Sequence, residues 1–170
     1  MPGSHAGIYD PNPGGIEQHK TITMSKTRLL HHIVFATKHR KPTINNEHKR
    51  ELYAYIFGII TNHKCFLIRM NGIEDHLHIL IDLHPTIALS SIVKDIKQSS
   101  SLWLKSNSDF PDFNGWNEGY YAVTLSPDNI ESCKTYIINQ ERHHASLNLI
   151  EEVQTFAHLN GLDWYPDDWE

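Results

Sequence analysis

Residues 65–83 read CFLIRMNGIEDHLHILIDL, two aliphatic and β-branched runs separated by Asn71-Gly72. That dipeptide is the one most favoured in a two-residue type I′ turn, so the spacing predicts a hairpin of strands Cys65–Met70 and Ile73–Leu83. Upstream, Leu29–Thr37 is β-branched and aromatic and stops at Lys38-His39-Arg40-Lys41-Pro42, where charge and proline end a strand. Between these segments Asn45 or Asn46 can cap a helix running to about Asn62, because Leu52, Ile56, Ile59 and Ile60 recur at helical spacing. Downstream, Pro85-Thr86 opens a helix that carries Leu89, Ile92, Val93, Ile96 and Trp103 on one stripe. After a loop with Pro111 and Gly115, Tyr120–Leu125 reads as a strand, and Ser126-Pro127 supplies an N-cap and a first-position proline for a third helix reaching about His144. Leu149–Asn160, closed by Gly161, reads as a fourth, acidic helix. The order βαββαβα predicts an α+β fold of the ferredoxin-like, split βαβ kind, an antiparallel sheet with helices packed on one face.

The chain has 170 residues and 39% apolar content, enough for one ordinary core. Met1–Thr23 is rich in Pro, Gly, Asn and His and contains Gly3-Ser4-His5, a scar-like tripeptide, so 1–23 is expected to be a disordered tag or linker. A single domain over 24–170 remains, with an acidic C-terminal helix and tail from about residue 147. No apolar run approaches the ~20 residues of a membrane span, which excludes a transmembrane protein. Cys65 and Cys133 stand alone in apolar surroundings, which excludes a disulfide scaffold or cysteine zinc site and predicts a reducing, cytoplasmic setting. The net charge of −5 is uneven: residues 151–170 hold six acids and no Lys or Arg, while residues 24–150 carry 14 basic against 12 acidic side chains. The body is mildly basic. Thirteen histidines are many for this length and direct attention to metal chemistry.

The His pair lies at Asp75-His76-Leu77-His78-Ile79-Leu80-Ile81. Side chains alternate along a strand, so His76 and His78 share a face about 6.6 Å apart along the backbone and can converge on one ion. A half-exposed sheet face carries the same pattern. In the third helix Tyr136 and Gln140 are four residues apart beside the stripe Ile130, Cys133, Ile137, with His143 and His144 a turn further on. A tyrosine near two imidazoles and an amide oxygen is a constellation with a use, since a metal can polarise a phosphodiester while a phenolate attacks phosphorus. A packing role is the plain alternative for Tyr136.

These residues, together with HHIVFATKHRKP, EDHLHILID, IVKDIKQSSS, WNEGYYAVTLS and YIINQERHH, resemble the single-tyrosine HUH transposases of small insertion sequences and their REP-associated tyrosine relatives. The resemblance extends from Leu30 to about His144. It implies an HUH endonuclease-type fold in which His76 and His78 are metal ligands, Gln140 is the third ligand and Tyr136 is the nucleophile. It also implies cleavage and rejoining of single-stranded DNA through a 5′-phosphotyrosine, a divalent ion (Mg²⁺ or Mn²⁺), hairpin-bearing DNA ends as partners and a homodimer. Retention of energy in the phosphotyrosine ester fits the absence of a nucleotide-binding Gly-rich loop.

Lys38, Arg40 and Lys41, and Lys94, Lys97 and Ser100 on the second helix, are candidate phosphate contacts. Trp116, Tyr120 and Tyr121 are candidates for base stacking, with core or subunit packing the expected role of at least two. Asp75, just before the His pair, is a candidate to orient one of the imidazoles, but strand alternation would turn its side chain to the opposite face. Three other readings stay open: a non-catalytic single-stranded nucleic-acid-binding module, a replication-initiator or relaxase-like nicking enzyme, and a water-using metal hydrolase.

Overall fold

The computed structural model describes residues 26–143 and 149–165. The tag or linker expected at 1–23, His144 and the end of the acidic tail lie outside the described residues. Four strands, β1 (Leu30–Ala36), β2 (Phe66–Ile73), β3 (His76–Asp82) and β4 (Tyr121–Thr124), form one antiparallel sheet in the order β2-β3-β1-β4. Helix α1 (Lys49–Asn62) connects β1 to β2, and β3 fills the space between those strands, which is the expected split βαβ arrangement. Helix α2 (Leu89–Ser106) connects β3 to β4. Among the described residues no helix is long and apolar enough to cross a membrane.

All seven residues of β3 are buried, so both sheet faces need a cover. On one face Ile33, Phe35, Leu77, Ile79 and Ile81 pack with Leu52, Ile56 and Ile60 of α1 and Ile92, Val93 and Ile96 of α2. The expectation of helices on one face is corrected by the other. There Leu80 packs with Cys133 and Ile137 of α3 (Ile130–Ile138), and Val34 and Ala36 pack with Val153 and Ala157 of α5 (Leu149–Leu159). The same alternation that sends Leu77 and Ile79 to α1 and α2 sends His76, His78 and Leu80 to this second layer.

The hairpin is present, but its turn is Glu74-Asp75, and Asn71-Gly72 lies inside β2 opposite His78 and Leu77. Tertiary contacts outweigh the turn preference of the dipeptide. Asn71 donates its side-chain amide to the carbonyls of Ile137 (3.0 Å) and Ile138 (3.2 Å), closing the end of α3. Gly72 lets the strands approach: a Cβ there would meet the His76 carbonyl oxygen at 2.1 Å and Leu77 Cδ2 at 2.8 Å. Gly72→Ala is therefore expected to lower unfolding free energy by about 1–3 kcal/mol, read as a shift in the urea midpoint. An unchanged midpoint would show that the strands part without cost.

The third predicted helix is divided. A 3-10 turn at Pro127–Asn129 precedes α3, a break at Asn139 follows it, and the short α4 (Gln140–His143) completes the segment. Asn139 retains a bond to Thr135 O (3.1 Å), while Arg142 N bonds Asn139 O (2.9 Å), so hydrogen bonding restarts at the break. The carbonyls just before it are those engaged by Asn71.

Candidate active site

β3 delivers His76 and His78 to the second layer, both with at most 1% exposure. Each imidazole has its Nδ1 engaged from outside the cluster. His76 Nδ1 lies 2.6 Å from Asp75 Oδ1, and His78 Nδ1 lies 3.0 Å from His32 Nε2 on the adjacent β1. Asp75 thus orients His76 after all: it sits in the turn, not in the strand, so alternation does not govern its direction. Burial lowers the His32 pKa to about 4, partly offset by the Glu152 carboxylate, so His32 is neutral at pH 7. With Asp75 and His32 at the two Nδ1 atoms, both Nε2 atoms are left to face the helices.

Three side chains from the helices complete the cluster. Gln140, at the start of α4 and fully buried, brings Oε1 to 3.3 Å from His76 Nε2 and donates Nε2 to Glu152 Oε1 at 3.0 Å. Glu152 of α5 lies 3.6 Å from His76 Nε2 through Oε2 and 3.5 Å from His78 Nε2 through Oε1. Tyr136 of α3 donates its hydroxyl to Glu152 Oε1, and its ring stands edge-on to His78 with centroids 5.7 Å apart. Burial, reinforced by the Glu152 charge and hydrogen bond, pushes the phenol pKa far up; a contact with Gln140 opposes this. Tyr136 therefore keeps its proton in this arrangement.

The donor atoms of His76, His78 and Glu152 all lie within 4.8 Å of one another. Ligands about 2.0–2.2 Å from an ion stand roughly 2.8–3.6 Å apart in octahedral or tetrahedral geometry. The separations of 3.3 Å from His76 to Gln140 and 3.5–3.6 Å from the imidazoles to Glu152 fit that range. Two imidazoles, an amide oxygen and a carboxylate form a set suited to a divalent ion.

The structure brings together all four residues singled out as a chemical constellation and adds Glu152, His32 and Asp75 to them. Glu152 and His32 escaped the sequence reading although both left a trace. Positions 152, 153, 156 and 157 form an apolar helical stripe in which Glu152 is the one acid, and His32 shares strand parity with the core residues Val34 and Ala36. His143 belongs to α4, and His144 lies outside the described residues.

The candidate phosphate contacts fall into two groups, one after β1 and one on α2. Lys38, Arg40 and Lys41 follow β1 at the end where Ala36 pairs with His76 and Thr37 N bonds Asp75 O. Lys94 and Lys97 instead line a groove of about 640 Å³ with Trp116 and Tyr120 on the α2 side, away from the His pair. Lys97 already donates to the carbonyls of Glu118 (2.7 Å) and Gly119 (2.9 Å). Ser100 is a correction: it is fully buried, with its hydroxyl donating to Ile96 O and accepting from the Trp116 indole, so it presents nothing to a phosphate here. Tyr121 is buried beside Val34, and Trp116 packs edge-on against Phe35 and Phe113, as expected for packing residues.

The sequence model of the Y1_Tnp family, IS200-like transposases, matches residues 25–140, more than half of the chain. The chain belongs to that family. It is similar to the transposases for insertion sequence element IS200 of Salmonella typhimurium (strain LT2) and Salmonella typhi, each 25% identical over 131 residues, covering 71% of this chain and 82% of the relative. A Deinococcus radiodurans R1 protein described as a transposase, known from its crystal structure, has 25% identity and a TM-score of 0.53 over 72% of this chain and 98% of its own. A REP-associated tyrosine transposase solved with a REP hairpin shares the fold at 15% identity, with a TM-score of 0.57 over 86% of this chain and 92% of its own. In this IS200-like transposase the matched region ends at Gln140. Glu152, twelve residues later, lies beyond it.

Proposed function

We propose that this IS200-like transposase cleaves and rejoins single-stranded DNA through a 5′-phosphotyrosine on Tyr136, with Mg²⁺ or Mn²⁺ held by His76, His78 and Gln140. The observation that carries this reading is the convergence of one phenol, two imidazole Nε2 atoms and one amide oxygen in a single buried cluster. When bound, the ion would polarise the scissile phosphate and offset the negative charge that builds on it.

The side chains of the protein account for the other requirements. His32 and Asp75 fix the imidazole orientations, and Gln140 bridges the cluster from His76 to Glu152. Tyr136 Oη forms a bond to phosphorus while the bond from phosphorus to the leaving 3′ oxygen breaks. The phenolic proton faces Glu152 Oε1, the acceptor to which it already points. The leaving oxygen takes up a proton and becomes a 3′-hydroxyl; attack by another 3′-hydroxyl on the phosphotyrosine rejoins strands and returns the phenol. Because each step exchanges one phosphodiester for another, no external energy source is required.

The family resemblance extends the proposal to hairpin-bearing ends and to a homodimer, which light scattering of the purified chain would report as twice the monomer mass. Because a relative of the same fold is known bound to a REP hairpin, a hairpin with a single-stranded flank is the first substrate to try. Labelled DNA of that kind, incubated with Mn²⁺ and run on a denaturing gel, should give a shorter strand and a protein-linked band. Metal-dependent cleavage without a linked band at any time would favour a water-using nuclease. No cleavage, with binding intact, would favour a non-catalytic module.

A further inference from the structure

We propose that Glu152 is an additional, carboxylate ligand of the divalent ion, so that helix α5 supplies part of the metal site. The inference rests on the metal reading above and extends it to a residue outside the family match at 25–140. Glu152 is 6% exposed, although it is an acid. A buried carboxylate is costly unless its surroundings compensate for its charge. Its two oxygens address both inward-facing nitrogens, Oε2 to His76 Nε2 at 3.6 Å and Oε1 to His78 Nε2 at 3.5 Å. These are the separations of neighbouring ligands around one ion.

The helix holds this carboxylate in position. Val153 and Ala157 dock α5 on Val34, Ala36 and Tyr121, and Phe156 stands edge-on to His32 with centroids 5.2 Å apart. Glu152, adjacent to Val153 on the same stripe, is thereby directed over the His pair. Gln140 completes the bracket, with its amide nitrogen on Glu152 and its amide oxygen on His76.

The addition also changes the character of the site. Two neutral imidazoles and an amide bring no charge, and imidazole suits zinc and copper at least as well as Mg²⁺ or Mn²⁺. A carboxylate contributes one negative charge and a hard oxygen, which shifts preference toward Mn²⁺ and Mg²⁺.

The test is calorimetric titration of Mn²⁺ into the full chain, together with the thermal midpoint at saturating Mn²⁺. Glu152→Gln, nearly isosteric, should weaken Mn²⁺ binding at least about ten-fold, the lower end of what loss of a supporting group around a metal costs. It should also reduce the Mn²⁺-induced rise in the midpoint. Glu151→Gln, one position away and exposed, should bind as the parent does. Should Glu152→Gln fail to fold by circular dichroism, Glu152→Asp keeps the charge, shortens the reach and should weaken binding in the same direction. Parent-like or tighter affinity in the folded Glu152 variant would overturn the proposal. His76→Ala distinguishes the two levels: loss of Mn²⁺ binding there, with Glu152→Gln unaffected, sinks the Glu152 assignment alone, whereas a parent protein that binds no Mn²⁺ sinks the metal reading and this inference together.

Discussion

Tyr136→Phe should abolish both the protein-linked band and strand cleavage while leaving hairpin binding nearly intact. The substitution removes one oxygen and keeps a ring that packs against His78 and lies near Leu80 and Ile137. It also removes the hydroxyl donated to the buried Glu152, so a stability loss of about 1–3 kcal/mol is expected from a hydrogen bond to a charged acceptor. Folded variant is therefore available for assay at ordinary temperature. Tyr120 and Tyr121 provide the contrast: one belongs to the α2-side layer and the other lies in the packing beneath α5. Their Phe variants should still form the adduct. Fragment mass spectrometry of the linked species locates the tyrosine, and linkage at any other residue, or persistence in Tyr136→Phe, would refute the nucleophile assignment.

His76→Ala and His78→Ala should each reduce metal-dependent cleavage by about 10³-fold or more, because metal stabilisation of phosphoryl charge contributes several kcal/mol and each ~1.4 kcal/mol is ten-fold. Hairpin binding should persist, since phosphate contacts by basic side chains supply affinity that does not need the ion. Each substitution also strands a partner, Asp75 for His76 and His32 for His78, so some loss of thermal stability accompanies the loss of activity. Circular dichroism separates the two effects. Full cleavage by the parent protein in saturating chelator would overturn the metal assignment regardless of what the variants do.

Much of the sheet was legible because its strands are bounded by breakers and the long helices by periodicity, as Leu52, Ile56 and Ile60 show for α1. The turn was not, because Asn71-Gly72 is the stronger local signal. Its residues answer instead to contacts distant in sequence, Asn71 to the carbonyls of Ile137 and Ile138 and Gly72 to the backbone of His76. The break at Asn139 was hidden for a related reason. Tyr136 and Gln140 keep their four-residue spacing across it, and the side chain associated with the break comes from β2. His76 and His78 could be paired from strand parity alone, since that is a local property. Glu152 could not be joined to them: an acid on an apolar stripe signals an unusual burial, but only the docking of α5 identifies what it is buried against.

The two halves of the cluster belong to parts of the fold with different resistance to opening. β3 is an interior strand, paired along its length to β2 and β1 and buried at every position, so its amide protons should exchange with solvent only through global unfolding. Tyr136 and Gln140 ride on a nine-residue and a four-residue helix divided at Asn139, and Glu152 on a helix at the sheet's outer layer. Such elements open in smaller, local events at lower free energy. The imidazoles are therefore expected to outlast openings that carry away the phenol, amide and carboxylate, and hydrogen exchange faster in α3, α4 and α5 than in β3 would show it. A site with two lifetimes of this kind can be taken apart and rebuilt many times within one folded life of the molecule.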